Sequence, residues 1–189
     1  VRVTNPAGLA SSTMNAGDPD IDVDDSDDNG TVLAAGTTSS VVVTLGIGNV
    51  EPTAEPDLGT GHGNVDERSN LTVDFGFFGP VSVGDYVWYD INNNGTQDGG
   101  EPPVVGATVT LVDQNGNPVT DASGNPVPPT TTNGTGNYNF TNLVPGDYIV
   151  RVTPPTGYEA TPVSGGDPDS NPSNTDNNGT QVGPFVESP

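Results

Sequence analysis

The feature that most constrains this chain is a loop of alternating oxygen-bearing residues that lies between two segments unsuited to helices. The segment before it, VSVGDYVWY at residues 81–89, is rich in residues that favour strands. Pro102 and Pro103 prevent a helix from beginning directly after it. The loop itself, DINNNGTQDGGE, follows the order D-x-[DN]-x-[DN]-G-x5-E. We therefore expect the loop to be carried by strands.

The spacing within this loop is that of a calcium-binding turn. Calcium takes about six to eight oxygen ligands, and alternate side chains of one loop supply them only where the chain turns sharply. Gly95 permits such a turn. The predicted ligands, of which Thr96 offers its backbone carbonyl, are Asp90, Asn92, Asn94, Thr96, Asp98 and Glu101. The alternative is an Asn-Gly hairpin that binds nothing.

Composition and charge narrow the possible partners. The chain has 25 acidic residues against 3 basic ones, and its net charge is −22. This balance excludes nucleic acid as a partner and argues against anionic membrane surfaces. Without a long apolar segment we expect no membrane insertion. Hydrophobic residues make up 30% and cysteine is absent, so the core must be thin and has no disulfide. Bound Ca²⁺ is the expected stabiliser of so acidic a chain.

An internal repeat organises the whole chain. Residues 1–31 align with residues 150–180 without a gap, at a constant offset of 149 residues. The predicted boundary lies near Gly79 and Pro80, so that 1–79 is the C-terminal part of one repeat and 80–189 the N-terminal and middle part of the next. A unit that continues beyond both ends predicts a head-to-tail array or filament, with neighbouring copies of the same repeat as partners.

The repeat places two acidic segments at equivalent positions. In the first, alternating carboxylates would lie on one side of an extended segment, and the second keeps oxygen ligands with less charge. The further predicted metal ligands are Asp18, Asp20, Asp22, Asp24 and Asp27 in the first segment and Asp167, Asp169, Asn171 and Asp176 in the second. The alternative is a solvated acidic linker.

Short alternating runs and frequent turns predict an all-β sandwich, with no helical period anywhere. Trp88 is predicted to be a core residue, and Tyr86, Tyr89 and Tyr138 to alternate into strands. Asp113 and Asp121 are predicted to form turns rather than to bind metal. The predicted strands are Val1–Thr4, Ser40–Ile47, Asn70–Phe78, Ala107–Val112 and Tyr148–Thr153.

Four motifs carry a resemblance to a known family: GDYVWYDINNNGTQDGGEPPVVGATVTL, GNYNFTNLVPGDYIVRVTPPTGY, GDPDSN and NLTVDFGFFGP. On these, the chain resembles the SdrD B-like repeat of bacterial cell-surface proteins, which is related to Cna-B-type stalk domains. The resemblance implies Ig-like or prealbumin-like β-sandwich repeats with long calcium-binding loops, and an extracellular location at the cell surface. It places the first calcium site on residues 90–101 and later acidic loops on 18–28 and 167–176.

Two departures from the family are visible. Many Cna-B relatives contain a Lys–Asn isopeptide bond, which this chain cannot form because it has no lysine. The unit is also longer than the short form of the repeat, mainly through residues 31–70.

The leading functional hypothesis is a structural, calcium-stabilised repeat module of an extracellular stalk, fibre or filament. The alternative is an adhesin binding module for a host protein or polysaccharide, which would need an exposed aromatic or arginine cluster. Arg2, Arg68 and Arg151 are scattered along the sequence. We do not expect an enzyme, because the chain has no cysteine, one histidine and no Gly-flanked serine motif.

Overall fold

The computed structural model of the chain describes residues 1–12, 29–34, 36–44, 73, 75–163 and 175–189. The chain divides into two compact units, Val1–Pro80 and Val81–Pro189. That these units are parts of successive repeats stays a prediction. The described residues form strands and turns and no helix, so nothing among them is a helix able to cross a membrane.

The first unit contains two small antiparallel sheets. One has three strands in the order β1-β4-β3, and the other pairs β2 with β5. Their bounds are Arg2–Thr4 for β1, Ala10–Ser11 for β2, Thr31–Ala34 for β3, Thr37–Ser39 for β4 and Phe77–Phe78 for β5.

The second unit is built around a five-stranded antiparallel sheet. Its strands are β7 (Thr108–Val112), β8 (Thr130–Thr131), β10 (Ile149–Thr153), β11 (Thr180–Val182) and β12 (Phe185–Glu187). Their order across the sheet is β11-β12-β10-β7-β8. Strand β7, which lies between β10 and β8, reads TVTLV, and its alternation turns Val109 and Leu111 into the core.

A second, two-stranded layer packs on this sheet. It pairs β6 (Val81–Tyr86) with β9 (Asn137–Leu143), with Val83 opposite Phe140 and Tyr86 opposite Asn137. Side chains of both layers meet in one buried cluster, made of Val109, Leu111, Phe140, Leu143 and Val150. Two layers that share one apolar core form a sandwich, so the predicted all-β sandwich fold is confirmed.

Side-chain oxygens fix the tight turns between the strands. Asp113 Oδ1 accepts the backbone N–H groups of Asn115 and Asn117, each at 2.8 Å. Asp121 Oδ1 accepts those of Ser123 and Asn125 at 2.8 and 2.9 Å. The pKa of Asp113 lies below its ordinary value, and the hydrogen bonds from the side chain and then the backbone N–H of Asn117 contribute most to this lowering. The predicted role of Asp113 and Asp121 as turn formers is confirmed.

The alternation of residues in the sequence predicted some strands correctly and others wrongly. The predictions for Val1–Thr4, Ala107–Val112 and Tyr148–Thr153 are confirmed within one residue at each end. Of Asn70–Phe78, only Val73 and residues 75–78 are described, and β5 is the strand among them.

The prediction of a strand at Ser40–Ile47 is wrong over residues 40–44, which form no strand; residues 45–47 lie outside the described part. Val42 is 84% exposed and so packs against no apolar face. β-branched residues favour strands chiefly through packing on apolar surface, which Val42 does not have.

The aromatic residues before the loop behave differently from one another. Tyr86 and Tyr138 lie in strands as predicted, but Tyr89 is outside any strand and 46% exposed, so that prediction is wrong. Trp88 is half-buried and stacks on Tyr86 with ring centroids 6.2 Å apart. It belongs to the stem that carries the loop.

Removing the buried side chain of Leu111 in β7 should destabilise the second unit. Leu111 is 1% exposed, and Leu111→Ala should lower the free energy of unfolding by about 2–5 kcal/mol, because it leaves a cavity in a thin core. Urea titration followed by the fluorescence of Trp88, the one tryptophan of the chain, measures the change. Val105→Ala is the matched control, since Val105 is 56% exposed and its truncation should have little effect. Equal losses in both variants would contradict the assignment of the core.

The stability of the second unit should also fall at alkaline pH. Tyr138 in β9 lies opposite Asp85 in β6. Burial is the main cause that raises the pKa of Tyr138 to about 12, and the negative charge of Asp85 adds to it. Because the pKa of Tyr138 is higher in the folded state than the unfolded value of about 10, the protonated phenol favours the folded state. This contribution to stability is complete below pH ~10 and is lost as pH rises through ~12. Tyr138→Phe should reduce this decline in urea titrations between these pH values, and Tyr148, whose pKa is also raised by burial, should account for a remaining part. Tyr89→Phe serves as control for loss of an exposed phenol, and an unchanged decline in Tyr138→Phe would contradict the prediction.

Candidate metal centre

The loop at residues 90–101 is clamped at its base by strand-like pairing. Trp88 forms an antiparallel bridge with Pro103. Tyr89 N–H donates to the carbonyl oxygen of Pro102, and Val104 N–H to that of Val87, both at 2.9 Å. The prediction that the loop is carried by extended segments rather than helices is confirmed.

Asp90 organises the sharp turn inside the loop. Its carboxylate is buried; Oδ2 accepts the N–H of Gly95 at 2.7 Å and Oδ1 that of Asn94 at 3.2 Å. Gly95 has φ = 75°, a left-handed conformation in which a side chain would be strained. Burial raises the pKa of Asp90, but the backbone N–H groups of Gly95, Asn94 and Asn93 and the Thr161 hydroxyl outweigh it, so that the pKa lies below its ordinary value. Asp90 is thus held as an anion.

Asp98 brings together the two asparagines that are predicted ligands. Its Oδ2 accepts hydrogen bonds from Asn92 Nδ2 at 2.8 Å and from Asn94 Nδ2 at 2.9 Å. The amide oxygens also bind within the loop, since Asn92 Oδ1 accepts the N–H of Asn94 at 3.1 Å and Asn94 Oδ1 that of Thr96 at 2.7 Å. The polar side chains of the loop therefore converge rather than point apart.

Glu101 closes the loop from its last position. Its Oε1 accepts the N–H of Ile91 and its Oε2 that of Asp98, each at 2.9 Å. One carboxylate thus joins the end of the loop to its beginning. Five predicted ligands take part with their side chains in one connected set of hydrogen bonds: Asp90, Asn92, Asn94, Asp98 and Glu101.

The sixth predicted position, Thr96, is paired with the second acidic segment. Thr96 forms an antiparallel bridge with Asp176. On either side of it, Gln97 N–H donates to the Thr175 carbonyl at 2.6 Å and Asn177 N–H to the Gly95 carbonyl at 2.8 Å. The sequence predicted two separate loops, and the structure joins residues 95–97 to residues 175–177.

The other predicted metal ligands lie outside the described residues. They are Asp18, Asp20, Asp22, Asp24 and Asp27 in the first unit and Asp167, Asp169 and Asn171 in the second. Whether they bind metal stays a prediction.

Three residues near the loop were not predicted to belong to the site. Thr161 hydrogen-bonds the Asp90 carboxylate, and Asn177 Nδ2 donates to the Thr161 carbonyl oxygen at 2.8 Å. Partial burial of Asp85, and then the negative charge of Asp176, raise the pKa of Asp85. The Asp-Asn-Asn-Gly sequence at 176–179 indicates a turn at Asn177, but no local signal indicates Thr161.

The oxygen atoms of the loop suit a hard divalent cation, provided that oxygens other than those of carboxylates also bind it. Among the residues that the structure describes, no three His, Cys, Asp or Glu side chains are grouped so as to hold a metal. A cation here would therefore need amide and backbone carbonyl oxygens as well, a mixture typical of calcium sites. Asn92 and Asn94 present nitrogen to Asp98, and a half-turn of each amide would present oxygen instead.

The fold and the loop together define an all-β, Ig-like sandwich domain that carries an oxygen-rich loop between strand-like stems. A family model for the SdrD B-like domain matches residues 81–187, more than half of the chain. The chain belongs to this family, as the resemblance in its motifs predicted.

Curated relatives match the same part of the chain. Serine-aspartate repeat-containing protein D of Staphylococcus aureus strain Newman is 43% identical over 103 residues, which are 54% of this chain and 7% of that protein. Protein I of Staphylococcus saprophyticus is 44% identical over 101 residues, 52% of this chain and 5% of that protein. Protein F of Staphylococcus epidermidis is 40% identical over 103 residues, 54% of this chain and 6% of that protein. The match thus spans less than a tenth of each relative.

The hydrogen bonds of Asp90 should stabilise the loop even without a cation. Asp90→Asn replaces one acceptor oxygen by an NH₂ group and deprives Gly95 or Asn94 of its partner, which should cost about 1–3 kcal/mol of unfolding free energy. Urea titration in excess chelator measures this loss. Asp147→Asn is the matched control, because the exposed Asp147 accepts only a side-chain bond from Gln114 and its loss should be small. A similar, small loss in both variants would contradict the role of Asp90.

Proposed function

We propose that this chain is a structural, calcium-stabilised repeat module of an extracellular stalk, fibre or filament assembled from tandem β-sandwich units. The observation that carries the proposal is the closed loop at residues 90–101, in which five predicted ligand side chains converge. Membership of the SdrD B-like family supports a cell-surface repeat module. The extracellular location and the head-to-tail partners follow from the resemblance and from the repeat in the sequence.

The negative charge of the loop explains why a bound cation would stabilise the fold. Asp90, Asp98 and Glu101 bring three carboxylates into one twelve-residue loop. Beside the loop, partial burial and then the negative charge of Asp176 raise the pKa of Asp85, so this part of the unit disfavours further negative charge. Calcium bound between the carboxylates of the loop would offset their repulsion.

A cation bound in the loop would also restrain segments that are distant in sequence. Its residues 95–97 pair with residues 175–177 through backbone hydrogen bonds, and Asp90 contacts Thr161. Holding the loop in one conformation would therefore also hold two segments distant in sequence. A cation at this position would stiffen the second unit rather than only its surface loop.

The ligand set indicates the strength of binding. If the loop closes further around a cation, the predicted set of three carboxylates, two amides and a backbone carbonyl would form a site of modest charge, suited to dissociation constants of about 0.1–1 mM, as in extracellular modules. Such a site would be filled by extracellular calcium and empty at the low calcium concentrations inside cells. The proposed location and the proposed affinity agree.

The binding-module alternative stays a prediction. Arg151 is engaged internally, since its Nε lies 2.7 Å from Glu187 Oε1 and its guanidinium 4.8 Å from the Phe185 ring centroid. It does not offer a free anchor to a partner. The exposed aromatic pair of Tyr89 and Tyr158, with ring centroids 5.4 Å apart, is the observation that favours an adhesive surface.

Calcium should raise the stability of the second unit. At 10 mM calcium, a site with a dissociation constant of about 0.1–1 mM adds about 1.4–2.7 kcal/mol to the unfolding free energy if it binds only the folded state. Urea titrations with Trp88 fluorescence, in calcium and in excess chelator at constant ionic strength, measure the gain. Magnesium should give a smaller gain, because it demands near-octahedral geometry at shorter distances.

A charge-matched pair of variants assigns the gain to the loop. Glu101→Gln removes a predicted ligand and should reduce the calcium-dependent gain, whereas Glu159→Gln removes an exposed carboxylate outside the predicted set and should leave it unchanged. No gain in the parent chain would refute calcium stabilisation. A full gain in Glu101→Gln would place the ion elsewhere.

A further inference from the structure

Six asparagines of the chain begin the sequence N-x-[ST], which is the acceptor sequence of N-linked glycosylation. Four of them belong to the identical tripeptide Asn-Gly-Thr: Asn29, Asn94, Asn133 and Asn178. The other two are Asn139 and Asn70, the second of which lies outside the described residues. Because the four tripeptides are identical, the fold largely decides which of them a transferase can reach.

Asn133 begins the tight turn that connects β8 to β9. Its N–H donates to the carbonyl oxygen of Asn137 at 3.0 Å, and the N–H of Gly136 donates to the carbonyl oxygen of Asn133 at 2.9 Å. Asn133, Gly134 and Thr135 are all exposed. The complete tripeptide therefore lies at the surface, outside the paired part of either strand.

The side-chain oxygen of Asn133 is fixed by this turn. Oδ1 accepts the backbone N–H groups of Thr135 at 2.9 Å and of Asn137 at 3.0 Å. Thr135 Oγ1 lies 2.8 Å from both Asn133 Oδ1 and Asn137 Oδ1, so its one proton can be donated to either oxygen. Backbone N–H groups bond only to the oxygen of an amide. The contacts thus identify Oδ1, and they direct Nδ2 away from the turn backbone.

The amide nitrogen of Asn133 takes no part in the turn. Nothing in the described part of the chain accepts a hydrogen bond from it. The two equivalent turns have aspartate at this position and use its second oxygen. Asp113 Oδ2 accepts Asn117 Nδ2 at 3.0 Å, and Asp121 Oδ2 accepts Asn142 Nδ2 at 3.2 Å. An aspartate would fix the turn as well as Asn133 does, so the turn does not account for the amide.

Two of the other Asn-Gly-Thr tripeptides hold their asparagine within the structure. Asn29 is 1% exposed, so a transferase reaches its amide only after local opening. Asn94 Nδ2 donates a hydrogen bond to Asp98 Oδ2 at 2.9 Å inside the loop at residues 90–101. The amide nitrogens of these two asparagines are therefore withheld, whereas that of Asn133 is not.

The remaining described acceptor sequences are held by strands. Asn178 and Gly179 are half-buried, and the threonine that follows them lies in β11. A side chain in place of Gly179 would meet Val186, which shows how closely this tripeptide packs on β12. Asn139 lies in β9, and the next residue, Phe140, is 5% exposed in the core. A transferase would have to separate paired strands to bind either sequence.

We propose that Asn133 is an acceptor site for an N-linked sugar, and that the folded chain withholds the other described N-x-[ST] sequences. The donor would be a glycosyl diphosphate carried by a nucleotide or a lipid. Asn133 Nδ2 forms a bond to the anomeric carbon of the sugar, the bond from that carbon to the phosphate oxygen breaks, the diphosphate leaves as an anion, and Nδ2 loses one proton. Oδ1 is unchanged, so the hydrogen bonds of the turn remain.

A sugar at this position would protect a vulnerable part of the surface. Exposed loop tips are preferred sites of proteolysis, and an N-linked sugar is bulky and strongly solvated. Its attachment to Asn133 would cover the Gly-containing tip of the turn. This role goes beyond the proposed structural function and does not depend on calcium.

Transfer to the folded full chain in vitro tests the proposal. One reaction uses a soluble N-glycosyltransferase with a UDP-hexose, and a second uses an oligosaccharyltransferase with a lipid-diphosphate-linked oligosaccharide. Peptide mass spectrometry measures the initial rate at each asparagine, and synthetic peptides that span each tripeptide give the rates for normalisation. With at least one donor, Asn133 should react at least about tenfold faster than Asn29, Asn94 or Asn178, because those sites require local opening. The donor that reacts distinguishes the nucleotide-linked from the lipid-linked source.

Asn133→Asp is the matched variant. It keeps an acceptor oxygen for the turn, as Asp113 and Asp121 do, and removes only the amide nitrogen. Urea unfolding should be nearly unchanged while modification at this turn is lost. Thr135→Ala should also abolish modification, and Thr135→Ser, which keeps the hydroxyl, should retain it.

The native chain, isolated from the cells that produce it, provides the second measurement. Peptide mass spectrometry should find a sugar on Asn133 and none on Asn94 or Asn178. An unmodified Asn133 in the native chain would overturn the proposal. Equal normalised rates at the four tripeptides in vitro, or no transfer to Asn133 from either donor, would overturn it as well.

Discussion

Side-chain oxygens that accept backbone N–H groups are the interaction on which the second unit depends. Asp113, Asp121 and Asn133 each accept the N–H groups of the residues two and four positions later. In each turn a glycine with positive φ follows three positions after the acceptor and an asparagine after four: Gly116, Gly124 and Gly136. The same device therefore recurs along the unit, and it orients strands whose shared core is too small to orient them alone.

The loop at residues 90–101 is a longer turn fixed by hydrogen bonds of the same kind. Asp90 accepts the N–H groups of residues four and five positions later, and Glu101 returns to the start of the loop. In this arrangement every carboxylate of the loop accepts at least one hydrogen bond. For the loop to bind a hard cation, as we propose, Asn92 and Asn94 must present oxygen in place of the nitrogen that each donates to Asp98.

How much the sequence predicts depends on the distance over which each interaction acts. The Asp113 and Asp121 turns, β7, β10 and the convergence of the loop side chains all depend on residues within a few positions of one another, and local pattern predicted them. The pairing of Thr96 with Asp176 and the contact of Thr161 with Asp90 join distant segments, and no local spacing encodes them. The strand predicted at residues 40–44 is absent for a related reason, because β-propensity does not reveal whether a side chain such as that of Val42 will find an apolar surface to pack on.

The distribution of charge explains why a cation, rather than internal ion pairs, is the proposed stabiliser. Within the described part of the chain, Arg151 and Glu187 form the single salt bridge, and Arg151 also lies over the Phe185 ring. The sequence has only 3 basic residues for 25 acidic ones, so internal pairing can neutralise a small fraction of the carboxylates. Backbone N–H groups stabilise individual anions such as Asp90, but they carry no net charge and cannot neutralise the loop. Repulsion among the carboxylates of the loop would decrease if they were protonated, screened by salt or bridged by a multivalent cation, and a bridging cation would also hold the loop in one conformation.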